Sequence, residues 1–329
     1  MTSCGYYRTV LPITHIGRDL ADSGISLVAS TRLDESDRHD CYIFGRVPDY
    51  ATAIFARKVK RRGAKIVWDF DDSFWDIPEG SPVKELFGGP SIDALEDSLL
   101  MADRVTVSTK HLAEVAVGHC PFLAGNITVL ENLIWSAPYF RNGRAENLTK
   151  ILWTGSHTHI VDIGPVYAVA EYVAATPNHV LIMYGFIPDD LKNAPNVIHV
   201  PWGAKKNYES ILSLIAPDVA LLPLADNQFN RCKSAIKFFE CAMAGALCIA
   251  SDIPPFADVV EDLVSGVLLP NNDSSQWIET LREMKGLEEL DIKDMRTNAK
   301  RHIMQEFSWD YDSPKRRAWR DFYLSLKDV

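Results

Sequence analysis

Short apolar runs recur along this chain, and between them lie stretches whose apolar positions return every third or fourth residue. The runs have the length of strands buried on both faces, and the stretches have the period of helices with one buried stripe. In the first half, runs at 41–44, 65–68, 104–108 and 127–130 predict strands. Helical stretches cover 50–62, closed by Gly63, then 92–102 and 109–118. Further on, runs at 150–153, 179–183, 197–200, 218–222 and 247–250 predict strands, with helices at 163–175, 208–215 and 234–244. Strand and helix alternate in both halves, which is the order of parallel sheets covered by helices.

The pattern breaks near 135–150, where Pro138, Asn142, Gly143 and Asn147 fall among mixed charges. This predicts a linker at 136–149 between a first Rossmann-like domain, 1–135, and a second, 150–308. The expected fold class is α/β, with two doubly wound Rossmann-like domains facing a cleft. Ligands of open parallel sheets bind beyond the carboxyl ends of the strands, so both sets of loops should line that cleft. The last segment, 309–329, carries Trp309, Tyr311, Trp319, Phe322 and Tyr323. It reads as a C-terminal helix crossing back to the first domain, or more plainly as a terminal helix packed in place.

A length of 329 residues, 47% of them hydrophobic, suits two cores. The net charge of -10 argues against steering toward nucleic acid or anionic lipid. One basic cluster stands against it, six cations between Arg57 and Lys65. It reads as a solvated helix end or as a phosphate-backbone contact. The six cysteines form no Cys-x-x-Cys pair and no zinc spacing, so reduced thiols and a cytoplasmic location are expected. No secretory leader and no transmembrane run is read.

The densest candidate chemistry lies at 218–252. A buried strand ends at Pro223, and a polar loop follows with Asp226, Asn227, Asn230 and Arg231. Ser234 is placed to cap a helix, whose free N–H groups and dipole favour phosphate. Lys233 and Lys237 are four apart and Glu240 three further on, so the three share one helix side. Gly245 ends the helix. Taken alone, the spacing also fits an amphipathic helix with solvated lysines.

The run Glu240-Cys-Ala-Met-Ala-Gly245-Ala-Leu-Cys-Ile-Ala-Ser251-Asp252-Ile-Pro254, followed by Val259-Val-Glu-Asp262, Gly266-Val-Leu-Leu269 and Trp277, resembles the GT-B glycosyltransferases, and among them the retaining family-four type. The resemblance covers about 150–310 well and the first half more loosely. It implies transfer of a sugar from a nucleoside diphosphate sugar, UDP- or GDP-type, to a hydroxyl acceptor with retention. It implies no required cofactor. Lys233 and Lys237 would neutralise the leaving diphosphate and Glu240 would hold the ribose. The family commonly has a second glutamate where this chain has Cys232, and Lys233 or Asn230 would then fill that space.

Other candidates follow from position. Gly155 and Ser156 lie after the first strand of the second domain, where a diphosphate can approach backbone. Gly185 and Trp202 end the next two strands, where the resemblance places the base, and Trp202 either stacks there or belongs to the core. His157 and His159 lack a third ligand, so no metal is expected. In the first domain Asp69, Asp71 and Asp72 crowd one strand end. The cluster reads as a general base, a hydroxyl-binding group, a Mg²⁺ site or a solvated acidic turn with Asp72 capping a helix; Asp71 and Asp72 are expected to orient sugar or acceptor hydroxyls. Tyr7, Arg8 and Arg46 are expected as acceptor or sugar contacts; the segment Gly5-Tyr-Tyr-Arg8 resembles the opening of many such enzymes, although the strand before it is very short or missing. The acceptor would be a glycan, a lipid-linked sugar or a small-molecule hydroxyl. Two alternatives are a phage-type transferase acting on hydroxymethylated DNA bases and a non-catalytic sugar-nucleotide-binding protein.

Overall fold

The computed structural model describes residues 3–34, 36–46, 49–87, 89–140, 147–204, 207–270, 272–284 and 289–327. The middle of the expected linker, including Asn142 and Gly143, lies outside them. The chain opens on helix rather than strand. A short α1 (Ser3–Gly5) runs through a π-helical turn, Tyr6–Val10, into α2 (Leu11–Asp22). There follow β1 (Cys41–Gly45), α3 (Tyr50–Arg61), β2 (Lys65–Phe70), α4 (Gly89–Met101), β3 (Arg104–Val107), α5 (Lys110–His119) and β4 (Ile127–Val129). Side chains start two of these helices: Asp49 accepts from the Thr52 amide and Thr109 from the Leu112 amide.

The first sheet is parallel and runs in sequence order, β1-β2-β3-β4. Right-handed crossovers that always step the same way put every crossover helix on one face. Accordingly Phe55, Leu95 and Leu112 of α3, α4 and α5 share one core with Trp68 and Val105. The opposite face needs another cover. Leu11, Ile16 and Leu20 of α2 meet Val67 there, together with Trp319, Phe322 and Tyr323 from the far end of the chain.

The second domain holds β5 (Thr149–Gly155), α6 (Gly164–Ala175), β6 (His179–Gly185), β7 (Val197–Val200), α7 (Tyr208–Ile215), β8 (Val219–Leu222), α8 (Gln228–Arg231), α9 (Ile236–Met243), β9 (Leu247–Ser251), β10 (Val267–Leu269), α10 (Ser274–Glu283) and α11 (Glu289–Glu306). Its six strands are parallel in the order β10-β9-β8-β5-β6-β7. Alternate strand residues face opposite layers. Ile151 and Trp153 pack under α6 and α10, whereas Leu152 packs with α7, α9 and α11. The strand order reverses between β5 and β8, and this reversal opens a crevice at their carboxyl ends.

The chain then crosses back. The Ile134 amide donates to the Phe307 carbonyl at 2.7 Å, and the Trp309 amide to the Ile134 carbonyl at 2.9 Å. Helix α12 (Pro314–Ser325) follows, and Trp319 donates its indole N–H to the Glu131 carbonyl at 2.8 Å. Among the described residues, no helix is long and apolar enough to cross a membrane.

Candidate nucleotide site at the sheet reversal

Two glycines shape the crevice. A Cβ on Gly155, the last residue of β5, would lie 2.7 and 2.9 Å from ring atoms of Trp153 and 3.4 Å from the His159 ring. Gly185, the last residue of β6, has φ of +110°, and a Cβ there would lie 2.5 Å from the Trp202 ring and 2.6 Å from the Gly155 carbonyl oxygen. Gly185→Ala therefore meets both backbone strain and a clash with backbone. It is expected to cost about 2–5 kcal/mol, read as a lower urea midpoint with unchanged slope. Trp202 is 46% exposed and tilts against Tyr184, with centroids 5.2 Å apart. Its ring also meets Tyr208, with centroids 5.6 Å apart, and Lys237 Nζ lies 5.9 Å above it.

The loop after β8 brings the cations. Asn227 caps the single turn α8, accepting from the Asn230 amide at 2.9 Å. Lys233 follows, 16% exposed, with Nζ 3.9 Å from Asp162 Oδ2 and 4.8 Å from the centroid of Phe229. Burial lowers its pKa, the charges of Asp162 and Asp72 work against that shift, and Lys237 adds to it. Lys237 Nζ lies 3.2 Å from Glu240 Oε2 and 5.2 Å above the Tyr208 ring. Each ammonium group faces a buried carboxylate, Asp162 or Glu240, and the two cations stand together at a half-buried crevice that suits an anion. Ser234 does not cap α9 as expected. That helix starts at Ile236 after an Ala235 without a side-chain cap, and Ser234 Oγ instead accepts from Asn132 Nδ2 of the first domain at 2.9 Å.

Glu240 also departs from expectation. It is 2% exposed, and both carboxylate oxygens are engaged within the protein. Oε1 accepts from Tyr7 OH at 2.6 Å, and Oε2 from Tyr208 OH at 3.0 Å and from Lys237. Ribose hydroxyls would have to replace one of these donors. Tyr208 in turn stacks on Tyr184 and lies 3.2 Å from Thr154 Oγ1.

The first-domain expectations divide. Arg8 does not reach the cleft. It is 6% exposed and donates to both Asp69 oxygens, at 3.1 and 2.5 Å. It also donates to Asn132 Oδ1 at 3.2 Å and to the Leu130 carbonyl, beneath the Trp319 ring. Tyr7 is likewise buried on Glu240. Arg46 sits at φ 68°, its carbonyl accepting from the Trp68 indole at 2.6 Å and its Nε buried without a hydrogen bond. Asp71 and Asp72 are half-buried, with ligand atoms within 4.8 Å of each other and of Cys4 Sγ. Such a trio could hold a cation. Burial, then the Asp72 charge, pushes the Asp71 carboxyl up to about 6.

A carboxyl raised in this way favours the fold when protonated. Its contribution is present below its ordinary value of 3.8 and is lost as pH rises through about 6. Asp71→Asn is expected to flatten that part of the stability profile, measured by urea unfolding at successive pH values.

Cys232 stands where the sequence resemblance leads to the expectation of a second glutamate. It is fully buried in the first domain's core beside Phe70 and Phe74, and its carbonyl accepts from Thr109 Oγ1 at 2.9 Å. No carboxylate reaches a sugar from there. The basic cluster at 57–65 runs into the amino-terminal edge of β2, opposite the strand ends that form the cleft. Arg57 pairs with Asp97 and Lys60 with Asp103.

Sequence reasoning passed over Asp162, Tyr208 and Asn132. The His-x-x-Asp spacing of His159 and Asp162 was the one local signal for the first. The other two depend on contacts distant in sequence.

No protein-family model and no curated protein matches the sequence. Solved structures do match. The chain is similar to TarM of S. aureus in complex with fondaparinux, α-GlcNAc-glycerol and UDP, with a TM-score of 0.61 and 12% identity over 84% of this chain and 53% of that one. Sucrose-phosphate synthase from Thermosynechococcus elongatus superposes at 0.65 with 12% identity, covering 100% of this chain and 80% of that one. The pneumococcal O-GlcNAc transferase GtfA in complex with UDP and GlcNAc matches at 0.59 with 14% identity, over 82% and 53%. The chain thus spans about half the length of TarM and of GtfA. Identities this low speak for architecture. Two parallel α/β sheets, joined across a cleft by a returning C-terminal helix, give this chain the GT-B fold.

Proposed function

We propose that the protein transfers a sugar from a nucleoside diphosphate sugar, of the UDP or GDP type, to a hydroxyl acceptor. The observation that carries this is the pair of part-buried cations, Lys233 and Lys237, at the β5–β8 reversal beside the strand-end glycine Gly155. In this reading the second domain, 150–308, takes the donor and the first, 1–135, the acceptor. The diphosphate lies against Gly155 and Ser156, and the base stacks on Trp202. The two lysines stabilise charge as the diphosphate leaves, so the residues present require no metal or cofactor. Glu240 takes up the ribose by exchanging Tyr7. Asp71 and Asp72 orient hydroxyls of the sugar or of the acceptor, which is a glycan, a lipid-linked sugar or a small molecule. Retention and a cytoplasmic setting belong to the same reading.

A second reading is a protein that binds sugar nucleotide without turning it over. The burial of Cys232 favours it, since no carboxylate reaches the sugar from that position. The basic cluster, partly ion-paired and on the far side of the sheet, gives the DNA-directed alternative no support.

A thermal-shift screen with UDP, GDP, ADP, CMP and dTDP sugars tests the proposal. A ligand at a hundred times its Kd stabilises by about 2.7 kcal/mol, a rise of several degrees in Tm. A UDP- or GDP-sugar is expected to give that rise. No rise with any of them at millimolar concentration contradicts donor binding. Binding without hydrolysis or transfer favours the second reading.

A further inference from the structure

The loop after β5 contains a buried carboxylate, Asp162, that faces Lys233. Asp162 is 1% exposed, between the turn His157–His159 and α6, and it is crowded with donors from both sides of the sheet reversal. From its own loop, His159 Nδ1 lies 3.0 Å from Oδ2. From the loop after β8, the Ala225 amide donates to Oδ1 at 2.9 Å and Asn230 Nδ2 at 2.7 Å. Lys233 Nζ stands 3.9 Å from Oδ2. Asn230 is held on its other amide hydrogen by the Ala225 carbonyl at 2.8 Å. One buried charge thus ties together the two loops that form the crevice, and it is the countercharge of a lysine assigned to the diphosphate.

We propose that Asp162 is a positioning residue of the donor site: held by Asn230 and the Ala225 amide, it aims Lys233 at the β5–β8 crevice and fixes His159 with its proton on Nδ1, so that the imidazole presents Nε2 to the ligand. The inference rests on the donor reading above. The geometry dictates the tautomer. An ionised carboxylate only accepts, so the ring nitrogen facing it must donate. Burial works against the charge on Asp162, but the His159 hydrogen bond, Lys233 and the Ala225 amide outweigh it and hold the carboxyl below its ordinary range. Burial first, and then Lys233, lower His159 to about 4, so the ring is neutral at pH 7 with one proton to place. Its edge lies against Gly155, where an added Cβ would come within 3.4 Å of Cδ2. Outer partners of this kind typically change ligand affinity by about 10–100-fold when removed.

Asp162→Asn separates positioning from simple electrostatics because the two predict opposite signs. Removing a negative charge 3.9 Å from Lys233 makes the crevice more positive, which by itself would tighten binding of a diphosphate. If Asp162 acts by holding Lys233 and His159 in place, binding weakens. Calorimetric titration of UDP, GDP and the matching nucleosides into both proteins reads the difference. The expected result is a loss of at least about 10-fold for the diphosphate in Asp162→Asn, with little change for the nucleoside. Nitrogen NMR of histidine-labelled protein, with His159 assigned through His159→Gln, supplies a signature that a merely structural residue would not set. The proton is expected on Nδ1 in the wild type and on Nε2 in Asp162→Asn, where the amide can donate to the ring. Equal or tighter diphosphate binding in a folded Asp162→Asn overturns the proposal. So does a wild-type His159 protonated on Nε2, which needs no variant to fold. Failure of wild type to bind either UDP or GDP is a different failure, that of the donor reading itself.

Discussion

Lys233→Ala combined with Lys237→Ala is expected to lower donor hydrolysis or sugar transfer by at least about 10²–10³-fold, the loss seen when one preorganised charge-stabilising group is taken from a reacting centre. The fold should survive, and the reason lies in the partners left behind. Without Lys233, Asp162 keeps three donors, from His159, Ala225 and Asn230. Without Lys237, Glu240 keeps the hydroxyls of Tyr7 and Tyr208. Neither carboxylate is stranded, so the melting temperature should move little while turnover collapses. The division between kcat and KM is also informative. Cations that serve mainly the leaving diphosphate lower kcat, whereas cations that only hold the ground state raise KM. A double variant with undiminished turnover would reduce the pair to partners of Asp162 and Glu240 with no part in the chemistry.

The largest effect on stability is expected from Arg8→Ala. Arg8 and Asp69 form a buried pair with two hydrogen bonds, and Thr106 Oγ1 adds a third contact to Asp69 at 2.6 Å. Removing the cation leaves Asp69 buried and short of partners, at a cost of about 3–5 kcal/mol. For a chain of this size that is a fall in Tm of roughly 10 °C. Removing Asp69 instead strands a guanidinium that still has Leu130 and Asn132. The two single variants should therefore sum to more than the double variant, and a thermodynamic cycle of urea midpoints measures the coupling. Arg8 also joins distant parts of the chain. It comes from the π-helical turn, Asp69 from β2, and the Trp319 ring beneath it from α12. Loss of this junction should loosen the attachment of α12 to the first domain.

What the sequence made legible follows physical range. The strands were readable because buried parallel strands are continuous apolar runs, as at Leu181 to Met183 and Leu247 to Ile249. Helix starts fixed by a neighbour three residues on, Asp49 and Thr109, need nothing distant. The contacts that the sequence hid lie where a partner far along the chain decides. Ser234 has the side chain of a cap, yet Asn132 claims its hydroxyl across 102 residues. Glu240 has the spacing of a ribose ligand, yet Tyr7 meets it from 233 residues away. Tyr7 and Arg8 looked like cleft residues by position, and both are buried because their partners sit on other elements. The helical opening was hidden for the same reason: α2 exists to cover a sheet face that crossovers of one direction leave bare.

Local pattern and resemblance together single out the lysines and the two strand-end glycines, and the fold places them around one crevice. The crevice itself was not legible, since strand order is invisible until the sheet is assembled. The central assignment, a diphosphate at the β5–β8 reversal, is tested most directly by a crystal structure of the protein with UDP or GDP. The account predicts diphosphate oxygens within hydrogen-bonding reach of Lys233 Nζ and of the backbone at Gly155 and Ser156, with the base against Trp202. A nucleotide bound elsewhere, with both lysines untouched, would contradict it.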